Sequence, residues 1–396
     1  MRPLAGVVVL SLEQAVAVPY ATRLLADLGA RVIKIERPGE PATGGDFARH
    51  YDRACGTVSS YFAWVNAGKE SVTLDLKHPR GAEITAELVA RADVVTCNLS
   101  PAAAARLGLD AATLRASRPE LVVAELSGYG EGGPYADRKA YDALVQSEAG
   151  LVASTGDGEV TARAGISAAD IAAGVQLHAA VLAALLHRER TGLGATLRLT
   201  LLESLAEWMH QPLLYALGTG TEPGRHGAHH PTIAPYGPFR CADGASVHLA
   251  VQNEAQWLRL CVVTGRPELA VDPRFDSVAA RVANRAALHA ELAGYLDTVT
   301  AAELQAALDA ADVPAARTRR VSELRTHPQL TARERWVDVA VPGDTTVAML
   351  RPPVDADAWT ARPGNVPELG EHTDRVLTWL GHGPEDIAAL RAESVV

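Results

Sequence analysis

Residues 7–39 read VVVLSLEQAVAVPYATRLLADLGARVIKIERPG, and this stretch decides the fold. Val7 to Leu12 is a β-branched run of strand type. Pro19 to Leu28 carries helical spacing and stops at Gly29, a residue suited to the left-handed C-terminal position of a helix. Arg31 to Glu36, with Val32 and Ile33 apolar, reads as a second strand. Strand, helix and strand in succession make a βαβ unit, whose strands run parallel. The rhythm continues outward. Ser71 to Leu76 is strand-like, Pro79 to Arg91 is a helix with proline at its start, and Asp93 to Asn98 and Leu121 to Leu126 are further strands. The first half is therefore α/β, a mainly parallel sheet covered by helices.

Ala169 to Arg190 is the strongest helix, Ala- and Leu-rich and ending near Gly192. Thr196 to Thr200 is strand-like, and Leu201 to Leu217 returns to helical spacing. Gly218 to Pro238 is rich in Gly, Pro and His and reads as a long connection. Beyond it come a strand at Ser246 to Val251 and helices at Ala255 to Thr264, Ala286 to Leu296 and Ala301 to Ala311. The proline-punctuated segment Arg351 to Leu369 leads to a closing helix, His372 to Leu380. The expected division is a large α/β domain over 1–200, a linker over 201–224 and a small α+β domain over 225–315. Residues 316–396 form a second linker and a C-terminal segment returning to the large domain.

The chain has 396 residues, 48% of them hydrophobic and 21% charged, the composition of an ordinary globular protein. Its formal charge of −10 argues against a general nucleic-acid binder, which needs a basic face. Local cations can still hold a small anion. Cys55, Cys97, Cys241 and Cys261 form no CxxC pair, so neither a disulfide framework nor a structural zinc site is expected. The N-terminus lacks the flank and cleavage site of a signal peptide. The longest apolar run, Ala179 to Leu186, falls well short of the ~20 residues of a membrane span. The expected compartment is the cytoplasm, with no membrane partner.

Three segments could carry chemistry. Residues 128–133, GYGEGG, match GxGxxG after a strand, but Pro134 to Asp137 continues as loop where a dinucleotide site needs a helix start. A Gly-rich connection is the favoured reading. Arg225, His226, His229 and His230 cluster in the Gly-rich segment, as a polar loop, a metal site or a carboxylate-binding loop; no second set of ligands accompanies them. Ser167-Ala168-Ala169-Asp170 opens the strongest helix with capping-box spacing. Ser167 is then a structural cap. Alternatively, Asp170 is a carboxylate kept anionic by the helix start, suited to nucleophilic attack beside oxyanion-stabilising amides. Sequence physics leaves that choice open.

Read together, several motifs resemble the family III coenzyme A transferases. They are Leu10 to Leu28 with Val32 to Gly39, Asn66 to Lys69 with Ser71 and Leu74 to Lys77, Asn98 with Arg106-Leu107-Gly108, Ser127 to Gly130, Lys139 to Asp142, Gly165 to Gly174, and Leu369 to Thr373. The resemblance spans nearly the whole chain. It implies a Rossmann-like large domain made from both chain ends, a smaller domain, and two subunits threaded through each other as an interlocked homodimer. It places the nucleophile at Asp170 and coenzyme A contacts at Ala15, Arg37, Leu74, Lys77, Asn98, Arg106, Leu107, Lys139 and Tyr141. Coenzyme A and acyl-CoA are then substrates, with no permanently bound cofactor and no metal.

This chain departs from the formyl-CoA:oxalate transferases, having Val16 for their glutamine, Leu99 for their phenylalanine and no matching glycine run in the small domain. Oxalate is therefore not the expected acceptor. Residues 11–17, 45–49 and 129–141 are most similar to transferases moving coenzyme A from succinyl-CoA to the C5 branched dicarboxylates mesaconate, itaconate or citramalate. Arg225, His226, His229 and His230 are the expected grip on the second carboxylate. An α-methylacyl-CoA racemase shares the fold but needs a histidine where Tyr141 stands, and tyrosine, with a pKa of about 10, is a poor base. A non-catalytic acyl-CoA-binding protein is the remaining alternative, which the presence of Asp170 disfavours.

Overall fold

In the computed structural model, which describes residues 1–40 and 42–396, the chain forms two compact units. The first gathers Met1–Gly150, Ala164–Gln211 and Ala332–Val396, and the second Leu151–Arg163 and Pro212–Thr331.

The first unit is built on a six-stranded sheet in the order Glu70–Thr73, Arg31–Glu36, Val8–Leu12, Val94–Cys97, Val122–Ser127, Thr196–Thr200. Every neighbouring pair is parallel, with Leu10 opposite Ile33 on one side and Val95 on the other. The central strands are apolar on both faces, so Val9, Leu10, Ile33, Val95 and Val123 are all buried. Each such side chain contributes roughly 1.5–3 kcal/mol. The C-terminal helices Thr373–Leu380 and Pro384–Ala392 join this core through Val376, Leu377, Ile387 and Leu390. They are tied to the sheet edge where Thr73 N–H donates to Thr373 Oγ1 (3.1 Å) and Asp75 N–H to the Val395 carbonyl (2.8 Å).

Helix Ala168–Thr191 runs 24 residues to a left-handed cap at Gly192 (φ 75°). Its length and mean hydropathy of 1.7 over its most apolar window are those of a membrane span, contrary to the expectation from single apolar runs. Here it packs along helix Ala17–Asp27, burying Ala172, Ala173, Leu177 and Val181. Gly174 allows the close approach, since a Cβ there would lie 2.8 Å from the Ala17 carbonyl oxygen.

The second unit carries a three-stranded antiparallel sheet with Ser246–Ala250 between Tyr236–Arg240 and Ala315–Arg317. Helices Glu254–Val263, Arg285–Leu296 and Ala301–Ala310 cover a core of Trp257, Phe275, Leu288, Leu292 and Leu304.

Several boundaries differ from the sequence reading. The stretch 201–224 is no plain linker: Leu201–Trp208 and His210–Thr219 are helices, and the two units divide at Gln211. Leu151–Arg163 leaves the large unit for the small one, which extends to Thr331 rather than residue 315. A hairpin of Trp336–Val341 and Thr345–Leu350 in the first unit was not foreseen, although a Pro-Gly-Asp turn separates two alternating apolar runs.

Candidate active site

In a parallel sheet, the loops that leave the carboxyl ends of the strands are free to bind ligands, above all where neighbouring strands send their chains in opposite directions. That switch lies between Val8–Leu12 and Val94–Cys97. Asn98, one residue past its strand, bridges it: its Oδ1 accepts from Gln14 N–H (3.0 Å) and its Nδ2 donates to the Gln14 carbonyl (2.9 Å). Ala15 follows at φ 66°.

The other expected coenzyme A contacts mostly follow strand ends. Arg37 and Leu74 each come one residue after a strand. Leu74 is buried, and Arg37 is exposed with one guanidinium nitrogen on the Thr43 carbonyl (2.7 Å). Lys77, Arg106 and Lys139 are exposed and make no ion pair among the described residues, so their charges are available to an anion. Arg106 and Leu107 end helix Pro101–Arg106. Gly128 gives the GxGxxG segment a structural purpose. A Cβ there would lie 2.2 Å from Ala140 Cβ, so only glycine lets Lys139-Ala140-Tyr141 fold back onto the strand end.

Asp170 sits in the first turn of helix Ala168–Thr191. The expected capping box is absent, because the Ser167 side chain makes no cap hydrogen bond. The cap comes from Asp142, which opens helix Asp142–Glu148. Asp142 Oδ1 accepts from Ala169 N–H (2.8 Å) and Asp170 N–H (3.4 Å), and its Oδ2 accepts from Gln146 Nε2 (2.7 Å). Gln146 is fully buried and braces the approach to Asp170: it donates to the Ile166 carbonyl (3.3 Å) and accepts from Ala164 N–H (2.9 Å).

This overturns the expected electrostatics as well. The helix start was to hold Asp170 low. Burial, reinforced by the like charge of Asp142, instead raises its pKa from 3.8 to about 7. Asp142 also occupies the amides that were to stabilise an oxyanion. Near neutrality Asp170 therefore exchanges between its acid and carboxylate forms, and the carboxylate form is basic and nucleophilic. Tyr51 lies in the same electrostatic neighbourhood: burial, with Asp46, Asp170 and Tyr141, pushes its phenol up to about 12, so it remains a donor.

Beneath the switch lies a group of buried charges that the sequence reading missed. Glu13, Lys34, Asp46 and Lys69 pair with one another, and Glu36 pairs with Arg49 through both carboxylate oxygens (2.7 and 2.8 Å). Against the cost of burial, Lys69 and Lys34 hold Glu13, and Arg49 with Lys34 holds Glu36, at about 2. The signal was present in Val32-Ile33-Lys34-Ile35-Glu36: charged residues within a strand buried on both faces need partners.

The second unit holds the four residues expected to grip an acceptor carboxylate, and their side chains make separate contacts. Arg225 donates to the carbonyls of Gly158 (2.7 Å) and Ala153 (2.8 Å), and His226 bridges Asp157 through its backbone. His229 packs against Phe239 and His289, while His230 stacks on Tyr236. The guanidinium of Arg225 is thus engaged in tying its loop to the 151–163 segment. Among the described residues no three His, Cys, Asp or Glu side chains gather as a metal-ligand set.

Comparison with known proteins gives this geometry its context. A solved CAIB/BAIF family protein from Brucella suis superposes with a TM-score of 0.86 at 33% identity, covering 96% of this chain and 99% of that one. An Acetyl-CoA:oxalate CoA-transferase from Acetobacter aceti is 37% identical over 347 residues, 86% of this chain and 88% of its own length. A Succinate–glutarate CoA-transferase from Agrobacterium fabrum is 35% identical over 390 residues, 96% of each chain. The model of CoA-transferase family III matches residues 4–373, and the chain, an enzyme of mixed α/β fold on a parallel sheet, belongs to that family.

Proposed function

We propose that this protein transfers coenzyme A from a dicarboxylyl-CoA donor, succinyl-CoA, to a small dicarboxylate acceptor, with Asp170 as the covalent nucleophile. The observation that carries the reading is the placement of Asp170: first turn of a long helix, braced by Asp142 and Gln146, and ionising near neutrality. A carboxylate oxygen of Asp170 adds to the donor thioester carbonyl, the C–S bond breaks, and coenzyme A leaves as thiolate, giving a mixed anhydride. The thiolate attacks the aspartyl carbonyl, the donor acid departs as carboxylate, and an enzyme–CoA thioester remains. The acceptor carboxylate attacks that thioester, displacing thiolate, which then takes the acceptor acyl group and frees Asp170. No electrons are gained or lost, and each step exchanges one activated acyl group for another.

Arg37, Lys77, Arg106 and Lys139 bind the phosphates of coenzyme A by charge. Ala15, Leu74, Asn98, Leu107 and Tyr141 line its path. Mesaconate, itaconate, citramalate, glutarate and oxalate all present a second carboxylate, which costs free energy to bury without a partner. The enzyme works in the cytoplasm as an interlocked homodimer.

The decisive experiment incubates the protein with succinyl-CoA and each acid in turn, reading new thioesters and protein adducts by mass. The expected result is a CoA adduct on the wild type, none on Asp170→Ala, and transfer to dicarboxylates over crotonate and butyrate. Turnover near wild type in Asp170→Ala would remove Asp170 from the mechanism. Equal kcat/KM for the monocarboxylates would remove the dicarboxylate assignment.

A further inference from the structure

The loop that leaves the central strand, Glu13 to Val16, passes over a cluster of four charged side chains, two acidic and two basic, each with no solvent exposure. Lys69 Nζ meets Glu13 Oε1 (2.5 Å), the Pro19 carbonyl (2.9 Å) and Asn66 Oδ1 (3.0 Å). Glu13 Oε2 accepts from Ser11 Oγ and Thr22 Oγ1, both at 2.6 Å. Lys34 Nζ donates to Asp46 Oδ2 (2.9 Å) and to the backbone carbonyl of Glu13 (3.3 Å). Asp46 Oδ1 in turn accepts from Ala15 N–H (3.1 Å) and Ala48 N–H (2.9 Å). Lys34 and Asp46 thus grip the chain on either side of Gln14, while Asn98 holds Gln14 itself.

What they hold is strained. Ala15 is at φ 66°, a conformation that a residue with a Cβ avoids unless its surroundings impose it. A fold needing only a turn there could use glycine at no steric cost. Buried ion pairs are also poor sources of stability compared with apolar packing, so a four-charge cluster under one short loop calls for another explanation. Strained backbone held by its surroundings is a recognised feature of binding sites.

We infer that Lys34 and Asp46 are positioning residues, which lock Ala15 in its left-handed turn and so preshape the crevice for coenzyme A. The inference rests on the proposed coenzyme A site. Neither side chain reaches solvent, so both act through the Ala15 backbone. Locking the loop before binding removes its ordering cost from the binding step.

The test titrates coenzyme A by calorimetry into the wild type, Asp46→Asn, and Asp46→Asn combined with Ala15→Gly, with folding checked by circular dichroism. Asp46→Asn weakens the ion pair to Lys34 and is expected to bind coenzyme A at least ten-fold more weakly. Adding Ala15→Gly, which makes the turn free of steric cost, is expected to recover most of that loss without restoring the melting temperature. A merely structural role predicts the opposite pairing. Wild-type-like binding by Asp46→Asn, or no recovery with Ala15→Gly, overturns the inference while leaving the coenzyme A site intact. A wild-type chain that binds no coenzyme A overturns both. Amide exchange in the unmodified protein tests the locked turn without any variant: the Ala15 amide is expected to be strongly protected, and exchange at the rate of an open loop sinks the inference.

Discussion

Asp170, the proposed nucleophile, illustrates how a buried carboxylate can oppose the stability of the fold that carries it. Its pKa is raised from 3.8 to about 7, so the folded chain holds a proton that the unfolded chain has lost across that interval. Stability therefore falls as pH rises from about 4 through 7. Asp170→Asn removes the ionisation and is expected to stabilise the protein at pH 8 by about 2–4 kcal/mol, with little change at pH 4. Calorimetric unfolding at the two pH values checks this, and equal gains at both would point to packing instead. With Asp170 as the proposed nucleophile, the rate of the first half-reaction is expected to have the complementary dependence, rising with pH as Asp170 ionises. Asp142→Asn keeps an oxygen acceptor for the Ala169 amide but removes the neighbouring negative charge. It is expected to move the rising limb of the pH–rate profile to lower pH, measured as CoA adduct formed per second. A limb that stays in place would mean that burial alone sets the ionisation of Asp170.

At the scale of elements, the cap of helix Ala168–Thr191 separates local from tertiary structure. The spacing Ser167 to Asp170 reads as a local cap, but the acceptor actually used lies 27 residues upstream in Asp142. Asp142→Ala is expected to cost about 1 kcal/mol of stability through the lost cap, whereas Ser167→Ala stays within ~0.5 kcal/mol. Melting curves of the two variants decide the matter, and a larger loss for Ser167→Ala would reinstate the local cap. The same distinction explains what could be read in advance. Strands such as Val8–Leu12 and Val122–Ser127 were legible because burial on both faces favours predominantly apolar runs opened by β-branched valines. The Asp170 helix was legible from its length and composition. The partners of Lys34, the cap from Asp142 and the grip of Asn98 on Gln14 join residues far apart in sequence, and no periodicity encodes them. Arg225 errs the other way. It looks like a free cation in a Gly-rich loop, yet it is spent on the carbonyls of Gly158 and Ala153.

For the molecule as a whole, two surfaces remain to be accounted for, one buried and one exposed. The buried carboxylates Glu13 and Glu36 have their pKa depressed from 4.5 to about 2, so each contributes stability above pH 4.5 that is lost as pH falls through about 2. Acid unfolding is expected to begin in that window and to release both ion-pair groups together, a steep transition visible by circular dichroism. The exposed one is a set of large apolar side chains. Within the first unit Val175 and Leu186 of the long helix are 40% and 52% exposed, and Trp208 is 50% exposed. Within the second, Leu213, Leu214 and Leu217 on helix His210–Thr219 are 47%, 65% and 73% exposed. Side chains of this size left in water forfeit the burial that would stabilise the fold, and they mark association surfaces when they gather on an element. A second copy of the chain is their proposed cover, in keeping with the proposed interlocked homodimer. Sedimentation equilibrium is expected to give a dimer that persists at nanomolar concentration. Leu214→Glu with Leu217→Glu is expected to weaken it and to lower the melting temperature in a concentration-dependent way, because dimer and fold are then linked. A wild-type monomer at micromolar concentration would sink the idea. A dimer indifferent to those charges would instead place the interface elsewhere, on the face presented by Val175 and Leu186.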